Sequence, residues 1–220
     1  MKFSKETIEI LQNFSLINPS LIFKPGKTLK TMSTMKSIIS TAEIGDEIPS
    51  EFAIYNLSQF LSVVALFDDP EFTILDRQMV ISSGKESINY VFADSSLNIS
   101  PPEKELTLPS EDVTFELSND VLKRILKAAV TLGSPEIAVT GDRESIYIEA
   151  MNTKNSSDNS YKVKIGETSN QFKLVFSLEN IKLLPRDYSV AISKQGLAQF
   201  KADGLTYFIV MEKKPSSFED

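Results

Sequence analysis

The chain has 220 residues, of which 41% are hydrophobic and 24% charged, and its formal net charge at pH 7 is −7. This length suits one large or two small domains, and the composition is typical of a folded globular chain. There is no cysteine and no histidine, which excludes disulfides and thiolate metal sites and removes the commonest general base and zinc ligand. We therefore predict a protein that is not an enzyme and has no cofactor.

The hydropathy pattern indicates a protein with no membrane partner. No apolar run approaches the ~20 residues that a membrane-spanning helix needs. Near the N-terminus, Glu6 and Glu9 interrupt the apolar stretch that a signal peptide requires. Because an acidic chain is repelled by nucleic acid on average, any contact with DNA must come from a local cluster of positive charge.

Two helices and a series of short strands are predicted in the first half of the chain. Ser4 and Asn56 are good N-cap residues, and they precede helices predicted over 5–14 and 57–67. Asp68-Asp69-Pro70 stops the second helix. The predicted strands are 1–3, 21–24, 28–32, 37–44, 50–55, 72–75, 79–82 and 87–92.

Proline, serine and acidic residues then mark a linker, which separates a predicted domain 1–93 from a predicted domain 111–220. The linker covers 94–110 and includes Pro101-Pro102. Further strands are predicted over 113–117, 136–140, 145–150, 161–165, 172–176, 188–193, 197–201 and 206–211. A short helix over 178–184 is expected after Ser177, limited by Pro185, and the polar C-terminal tail is expected to fray.

The helix predicted after Ser118 is the most amphipathic stretch of the chain. Its apolar residues follow one another at helical spacing and fall on one side: Val121, Leu122, Ile125, Leu126 and Ala129. Lys123, Arg124 and Lys127 fall on the opposite side. A basic helix face on an acidic chain is more often a solvated surface than a DNA-binding surface, so the pattern by itself leaves both interpretations open.

The four predicted helix caps reveal an internal repeat. Ser4, Asn56, Ser118 and Ser177 each follow an apolar or aromatic residue, and an apolar residue stands four and seven positions after each cap. The chain thus consists of four strand–helix–three-strand repeats, two on either side of the linker. This pattern predicts an α+β fold of antiparallel sheets with two helices per domain packed on one face.

Several segments resemble a known family. The opening MKFSKETIEILQNF and the segments FAIYNLSQFLSVVALFDD and VTFELSNDVLKRILKAAVTL resemble the sliding clamps of large tailed bacteriophages, which are DNA polymerase processivity factors. The resemblance covers nearly the whole chain and is weaker over 151–171. It implies the DNA clamp fold, with two similar domains per subunit and three subunits closed head to tail into a ring around duplex DNA.

The resemblance also implies where DNA is contacted. Inward-facing helices should hold phosphates loosely and without reading sequence, because base-specific contacts would impede sliding. The candidates are Lys5, Lys123, Arg124, Lys127 and Lys182. The helix at 57–67 has no basic residue, and the first helix mixes Lys5 with Glu6 and Glu9, so the positive lining is expected to be patchy.

Further partners follow from the same resemblance. They are the replicative DNA polymerase, a clamp-loader ATPase and, as in some relatives, transcription factors, all in the cytoplasm of an infected bacterial host. Ring closure would pair the strand 87–92 of one subunit with the strand 161–165 of the next. Partner tails would enter an apolar pocket near the linker, with Ile99, Leu106 and Leu108 at its rim. Alternatively, these three residues only pin the linker to a sheet.

Other function classes fit the residues less well. A single-strand-binding or other replication accessory protein would place aromatic platforms beside basic residues on strands, whereas here Lys and Arg cluster on a predicted helix. An enzyme using Asp or Glu chemistry would show convergent carboxylates, and no such signature is present.

Overall fold

The computed structural model describes residues 1–97 and 100–219. The chain divides into two compact units, one from Met1 to Lys104 and the other from Glu105 onward. The division falls inside the predicted linker. The α+β class with antiparallel sheets in a repeated arrangement is confirmed, and each unit is described in turn.

The first unit contains two α-helices and seven strands among its described residues. The helices are α1 (Lys5–Ile17) and α2 (Leu57–Val64). The strands are β1 (Leu21–Phe23), β2 (Gly26–Met32), β3 (Ile38–Ile48), β4 (Phe52–Ile54), β5 (Glu71–Ile74), β6 (Gln78–Ser83) and β7 (Glu86–Val91). All pairings within the unit are antiparallel: β1 with β4, β2 with β3, and β6 with both β5 and β7.

Both helices of the first unit begin at their predicted caps. The Ser4 hydroxyl accepts a hydrogen bond from the Thr7 N–H at 3.2 Å, and the Asn56 side chain accepts one from the Gln59 N–H at 3.0 Å. The first helix runs three residues further than predicted, because Ile17 continues its buried face. The second is three residues shorter, because its last turn tightens into i to i+3 hydrogen bonds.

The second unit contains one α-helix, α3 (Asn119–Leu132), and nine strands among its described residues. The strands are β8 (Val113–Leu117), β9 (Glu136–Asp142), β10 (Ser145–Met151), β11 (Tyr161–Glu167), β12 (Gln171–Ser177), β13 (Tyr188–Ser193), β14 (Leu197–Ala202), β15 (Leu205–Val210) and β16 (Ser217–Glu219). One sheet has the order β11-β10-β9-β12-β16, and the strands β15-β14-β13-β8 lie side by side in another.

Paired repeats exchange their first strands. In the second unit, β8 pairs with β13 of the following repeat, and β12 returns to pair with β9 of the preceding one. In the first unit, β4 likewise returns to pair with β1. The strand predicted over 1–3 is wrong, but Met1 exchanges two backbone hydrogen bonds of 2.8 Å with Phe72 on β5. Each unit is therefore held together by strands that cross between its two repeats.

The helix predicted over 178–184 is wrong. Only Leu178–Asn180 is helical, as a single 3-10 turn, and Ser177 makes no side-chain capping bond. So short a segment nucleates poorly, and Pro185 disfavours helical geometry at Leu184. Hydrogen bonds to the second half of the unit hold this segment in a non-helical conformation. The Leu184 N–H donates to the Tyr207 hydroxyl at 3.3 Å, and the Tyr188 hydroxyl donates to the Leu184 carbonyl at 2.6 Å. The second unit thus has one α-helix and not two in the part of the chain that the structure describes.

The C-terminal tail is also more ordered than predicted. Instead of fraying, it adds β16 to the edge of β12, with Phe218 opposite Phe172. The two rings stack with centroids 5.7 Å apart and planes inclined by 6°. A Phe side chain in an otherwise polar tail gives the segment apolar surface to bury, and that is the signal the sequence did carry.

Candidate nucleic-acid interface

The basic face of α3 is fixed by burial of the opposite face and by both helix ends. Leu122, Ile125 and Ala129 are buried beneath the helix. At the start, the Ser118 hydroxyl accepts from the Val121 N–H at 3.4 Å. At the end, Gly133 adopts the left-handed conformation (φ 66°) that terminates helices. The helix cannot rotate without exposing its apolar side, so its outer face is set by the fold.

Lys123, Arg124 and Lys127 are all exposed on this outer face. Arg124 Nε donates to the Asp120 carbonyl within the same helix at 3.3 Å. Among the described residues, none of the three forms an ion pair with a carboxylate. Lys123 and Lys127 are one turn apart, and like charges at this spacing destabilise a helix by roughly 0.2–0.5 kcal/mol. An anionic ligand would relieve that repulsion.

A carboxylate that the sequence analysis missed supports the N-terminus of α3. Asp187, just before β13, accepts a hydrogen bond from the Asn119 N–H at 2.6 Å. The first unit repeats this device, where Asp46 on β3 accepts from the Ser4 N–H at 2.7 Å. Negative charge is favourable there because of the free N–H groups and the helix dipole. No local sequence signal reveals either contact, since the partners lie 68 and 42 residues apart.

The Asp46 carboxyl has a lowered pKa as a result of its contacts. Partial burial alone raises the pKa, but hydrogen bonds from Ser4 and Thr7 outweigh that effect and bring the pKa below its usual value. The carboxylate therefore remains ionised at the helix N-terminus under mildly acidic conditions.

Lys5 and Lys182 lie in different settings from the three residues on α3. Lys5 is exposed at the start of α1, where Glu6 and Glu9 are exposed as well. Lys182 is half-buried and lies on the non-helical segment after Asn180, so its predicted place on a fourth helix is wrong. Its neighbour Ile181 lines the same apolar cavity as Leu126 of α3. The segment thus lies close to α3, but its lysine is not part of a helix face.

The helices of the first unit have little positive charge. The exposed residues of α2 include Ser58, Gln59 and Ser62, which are polar and uncharged. The exposed side of α1 combines one lysine with two glutamates near its start. The strongest concentration of positive charge on the described helices is therefore α3.

The predicted partner-binding residues come from the segment in which the chain passes from one unit to the other. Leu106 is 37% exposed and Leu108 is half-buried, whereas Ile99 lies outside the described residues. Just beyond them, Asp112 accepts bonds from the Ser110 hydroxyl at 2.5 Å and the Lys194 N–H at 2.9 Å. The pKa of Asp112 lies below its usual value, mainly because of the hydrogen bond from Ser110 and, next, because of the one from Lys194. These bonds anchor the segment leading into β8.

The two strands predicted to close the ring are each paired on one side only within their own units, as are several other strands. In the described part of the chain, β7 pairs with β6, and β11 pairs with β10. Exposed Glu86 lies on β7, whereas β11 has exposed Lys162, Lys164 and Glu167, and Lys164 Nζ lies 3.9 Å from Glu167 Oε1. The two edges therefore differ in the sign of their net charge, although one lysine of β11 is paired within its own strand.

Neither a metal centre nor a membrane-spanning helix is found in 1–97 and 100–219. No three His, Cys, Asp or Glu residues are grouped as metal ligands there. No helix in these ranges combines the length and the apolar character that crossing a membrane demands.

Comparison with solved structures identifies the fold. The A. fulgidus PCNA bound to the C-terminal region of FEN-1 superposes with a TM-score of 0.70 over 96% of both chains, at 12% sequence identity. The Helicobacter pylori beta clamp bound to a DNA ligase peptide gives a TM-score of 0.69, at 14% identity, over 96% of this chain and 64% of that one. The chain therefore has the DNA clamp fold.

Sequence comparison identifies the family of this chain among the proteins with the DNA clamp fold. The DNA polymerase processivity factor family matches residues 4–96, and the gp45 sliding clamp C-terminal family matches residues 114–213. The sliding clamp of Vibrio phage KVP40 is 32% identical over 96% of this chain and 99% of its own length. That of Escherichia phage RB69 is 31% identical over 96% and 97%. The chain belongs to the sliding-clamp family of DNA polymerase processivity factors, which confirms the predicted resemblance.

Proposed function

We propose that three copies of this chain close into a ring that encircles duplex DNA and tethers the replicative polymerase. The observation that supports this function best is the exposed set Lys123, Arg124 and Lys127, carried on a helix whose orientation is fixed by its caps and its buried face. In a chain of the sliding-clamp family, such a set suits the wall of a DNA channel. Each copy would present it once.

The proposed DNA contact is electrostatic and independent of sequence. Lysine and arginine on an exposed helix face can neutralise phosphates, and phosphate contacts carry no sequence information. Lys5 and Lys182 would contribute more weakly, because Lys5 shares its surface with Glu6 and Glu9 and Lys182 is half-buried. The net charge of −7 would keep DNA away from the remaining surface.

Ring closure is proposed between the free edges of β7 and β11. Pairing Glu86–Val91 of one copy with Tyr161–Glu167 of the next would hide two exposed strand edges. One edge has Glu86, and on the other Lys162 and Lys164 outnumber Glu167. The net charges are therefore opposite and favour pairing between unlike edges over self-pairing. Head-to-tail contacts of this kind close into a ring when the rotation from one copy to the next leads back to the first copy.

Partner proteins would dock near the linker. The PCNA and beta-clamp relatives described above were solved with a FEN-1 segment and a DNA ligase peptide. By analogy, the replicative polymerase, the clamp-loader ATPase and transcription factors would insert tails beside Leu106 and Leu108. The domains proposed for this arrangement are 1–93 and 111–220, joined by 94–110.

The proposed protein is a non-enzymatic processivity factor without a cofactor. Ring opening would be driven by the separate loader, since the sequence has no nucleotide-binding motif. Its phage relatives support action in the cytoplasm of an infected bacterial host.

Encirclement of DNA can be tested by comparing retention of the protein on circular and linear duplex. After loading onto nicked circular duplex, the protein should stay bound, and cutting that circle once should release it by sliding off the ends. Blocking both ends of the linear DNA with bound streptavidin should restore retention. Equal retention on open linear and circular duplex would refute encirclement, and stronger retention on single strands would favour a single-strand-binding protein.

Assembly can be tested independently by mass in solution. A trimer of 24.5 kDa chains should have a mass of about 73 kDa by light scattering. Val91 is 68% exposed on β7, and Val91→Asp should lower that mass if this edge closes the ring. Met35→Asp, at an 84% exposed position outside both strands, is the matched control.

A further inference from the structure

The C-terminal segment covers an edge of the five-stranded sheet along most of one strand. The Glu212 N–H donates to the Val175 carbonyl at 2.8 Å, and the Ser216 hydroxyl accepts from the Val175 N–H at 2.9 Å. Beyond this point, β16 pairs with β12 at three successive positions, ending at Gln171. The segment thus contacts the edge at Glu212, turns over 213–215, and lies extended along the edge only over its last part, Ser217–Glu219.

An aromatic site receives Phe218 on one face of the sheet. The ring stacks on Phe172, and the Lys194 ammonium lies 5.4 Å from its centroid, within the range of a cation–π interaction. Gly141, which pairs with Phe172 on the neighbouring strand, leaves the space that the Phe172 ring occupies. A Cβ at position 141 would lie 2.5 Å from Cε1 of Phe172, so any larger residue would displace the ring that forms the floor of the site.

A carboxylate site receives Glu219 beside it. Arg143 Nη2 donates to Glu219 Oε2 at 3.1 Å, and Gln171 Nε2 donates to Oε1 at 3.3 Å. Arg143 has a left-handed backbone (φ 74°), a conformation that favours Gly or Asn and is strained for a residue with a long side chain. This conformation belongs to the tight turn between β9 and β10, in which Asp142 Oδ1 accepts hydrogen bonds from the Glu144 and Ser145 N–H groups. The turn brings the Arg143 guanidinium within hydrogen-bond distance of the Glu219 carboxylate.

The resident strand is held weakly. Its ladder is three residues long, and the Arg143 and Glu219 side chains remain 65% and 57% exposed, so solvent screens their attraction. An edge strand of this kind can be replaced by any extended peptide that offers the same groups, as in β-augmentation.

We propose that this edge, formed by Phe172, Gln171, Arg143 and Lys194, is a docking site for an extended peptide of another protein in which an aromatic residue is followed by a carboxylate. The chain's own Phe218-Glu219 occupies the site until such a peptide displaces it. The tail reaches the site of its own copy, so exchange between copies would offer no additional stabilisation. The site is built from one unit alone and does not depend on ring closure.

The test uses a variant that ends at Lys214 and the synthetic peptide PSSFED, which has the sequence of residues 215–220. The labelled peptide should bind the shortened chain at least tenfold more tightly than the full chain, whose site is filled. Full-length Phe218→Ala, which keeps the chain length, should bind it with intermediate affinity. Unchanged thermal melting of both variants would show that the sheet remains folded.

Altered peptides and a variant of the site serve as controls for this binding experiment. Peptides with Phe218→Ala or Glu219→Lys, and the shortened chain with Arg143→Gln, should each bind at least tenfold more weakly. Peptides selected from a random library on the shortened chain should be enriched in an aromatic residue followed by an acid. Absent binding to the folded shortened chain, equal binding to both chains, or enrichment of another chemistry would overturn the proposal. A smaller mass in solution after shortening, beyond that of the six residues removed, would assign the tail to a second copy and overturn it too.

Discussion

The carboxylate of Asp187 accepts a hydrogen bond from the backbone N–H of Asn119, the first residue of α3, across 68 positions of sequence. This contact joins the loop before β13 to the helix that bears the strongest positive charge. It places a negative charge at the helix N-terminus, where the dipole favours it. The same residue therefore stabilises α3 while opposing the attraction of anions to it.

These two roles predict opposite effects of one substitution. Asp187→Asn keeps an oxygen acceptor but removes the charge, so it should lower the free energy of unfolding by about 0.3–1 kcal/mol without weakening retention on circular DNA. Urea unfolding and retention at moderate salt measure the two effects. Asp203→Asn, in an exposed turn, is the control and should change stability by less than about 0.5 kcal/mol. Reduced retention in Asp187→Asn would contradict the assignment.

Removing the lysines of α3 should weaken DNA retention without weakening the fold. Lys123→Ala plus Lys127→Ala relieves a like-charge pair and introduces good helix formers, so the variant should be at least as stable as the parent. Polymerase processivity should fall. The slope of log affinity against log salt should become shallower by about 0.9 for each phosphate that the variant no longer neutralises.

The control for this prediction removes the same charge elsewhere. Lys85→Ala plus Lys154→Ala changes two exposed lysines in loops and should leave both processivity and the salt slope close to those of the parent. If the two double variants behaved alike, the effect would report net charge and not the helix face.

Acid should weaken the fold partly through Asp46. Its pKa is below the usual value in the folded chain, because the hydrogen bonds from Ser4 and Thr7 outweigh the effect of burial. As the pH falls through the usual Asp pKa of about 3.9, the unfolded state takes up a proton first and is favoured. The stabilising contribution is complete above that pH and is lost as the pH approaches the lower, folded pKa.

Asp46→Asn should therefore be less stable than the parent at pH 7, and the difference should shrink towards about pH 3, below the usual Asp pKa. Chemical unfolding at both pH values measures it. Glu43→Gln, at an exposed position on the same strand, is the control and should change the free energy of unfolding at pH 7 by less than about 0.5 kcal/mol. A stability difference between Asp46→Asn and the parent that grew on acidification would contradict the lowered pKa of Asp46.

Tyr188 should be important for the non-helical course of the segment 181–184. It is fully buried, and Tyr188→Phe would leave the Leu184 carbonyl without its 2.6 Å donor. An unpaired buried polar group costs about 1–3 kcal/mol. Thermal and urea unfolding should show this loss, whereas Tyr55→Phe, at a 66% exposed position, should be nearly neutral.

Local sequence signals predicted a large part of this fold. The bounds of β8 and β13 match the predicted strands, and three of the four predicted caps accept the expected hydrogen bonds from Thr7, Gln59 and Val121. Caps and alternating apolar residues act over a few positions, so a sequence displays them directly. The basic face of α3 was found in the same way, from spacing alone.

The parts that were missed depend on partners distant in sequence. Ser177 has the residue type of a cap, but Leu178 N–H bonds to the Pro135 carbonyl and Leu184 is held by two buried tyrosines, which no local pattern reveals. The same holds for Asp187. For the tail, Phe218 was a local sign of apolar surface to bury, but its pairing with Phe172 on a distant strand was not visible in the sequence. The DNA and partner roles of the chosen residues stay predictions, because they concern molecules outside the chain.

The strand exchange between repeats has a consequence for the order of events during synthesis. Met1 is bound to Phe72, 71 residues later, and Leu117 pairs with Tyr188 at the same separation. A ribosome must therefore make most of each unit before its N-terminal segment has a partner. Because such distant pairings form slowly, each half should remain open until its second repeat has emerged, and then close in one cooperative step.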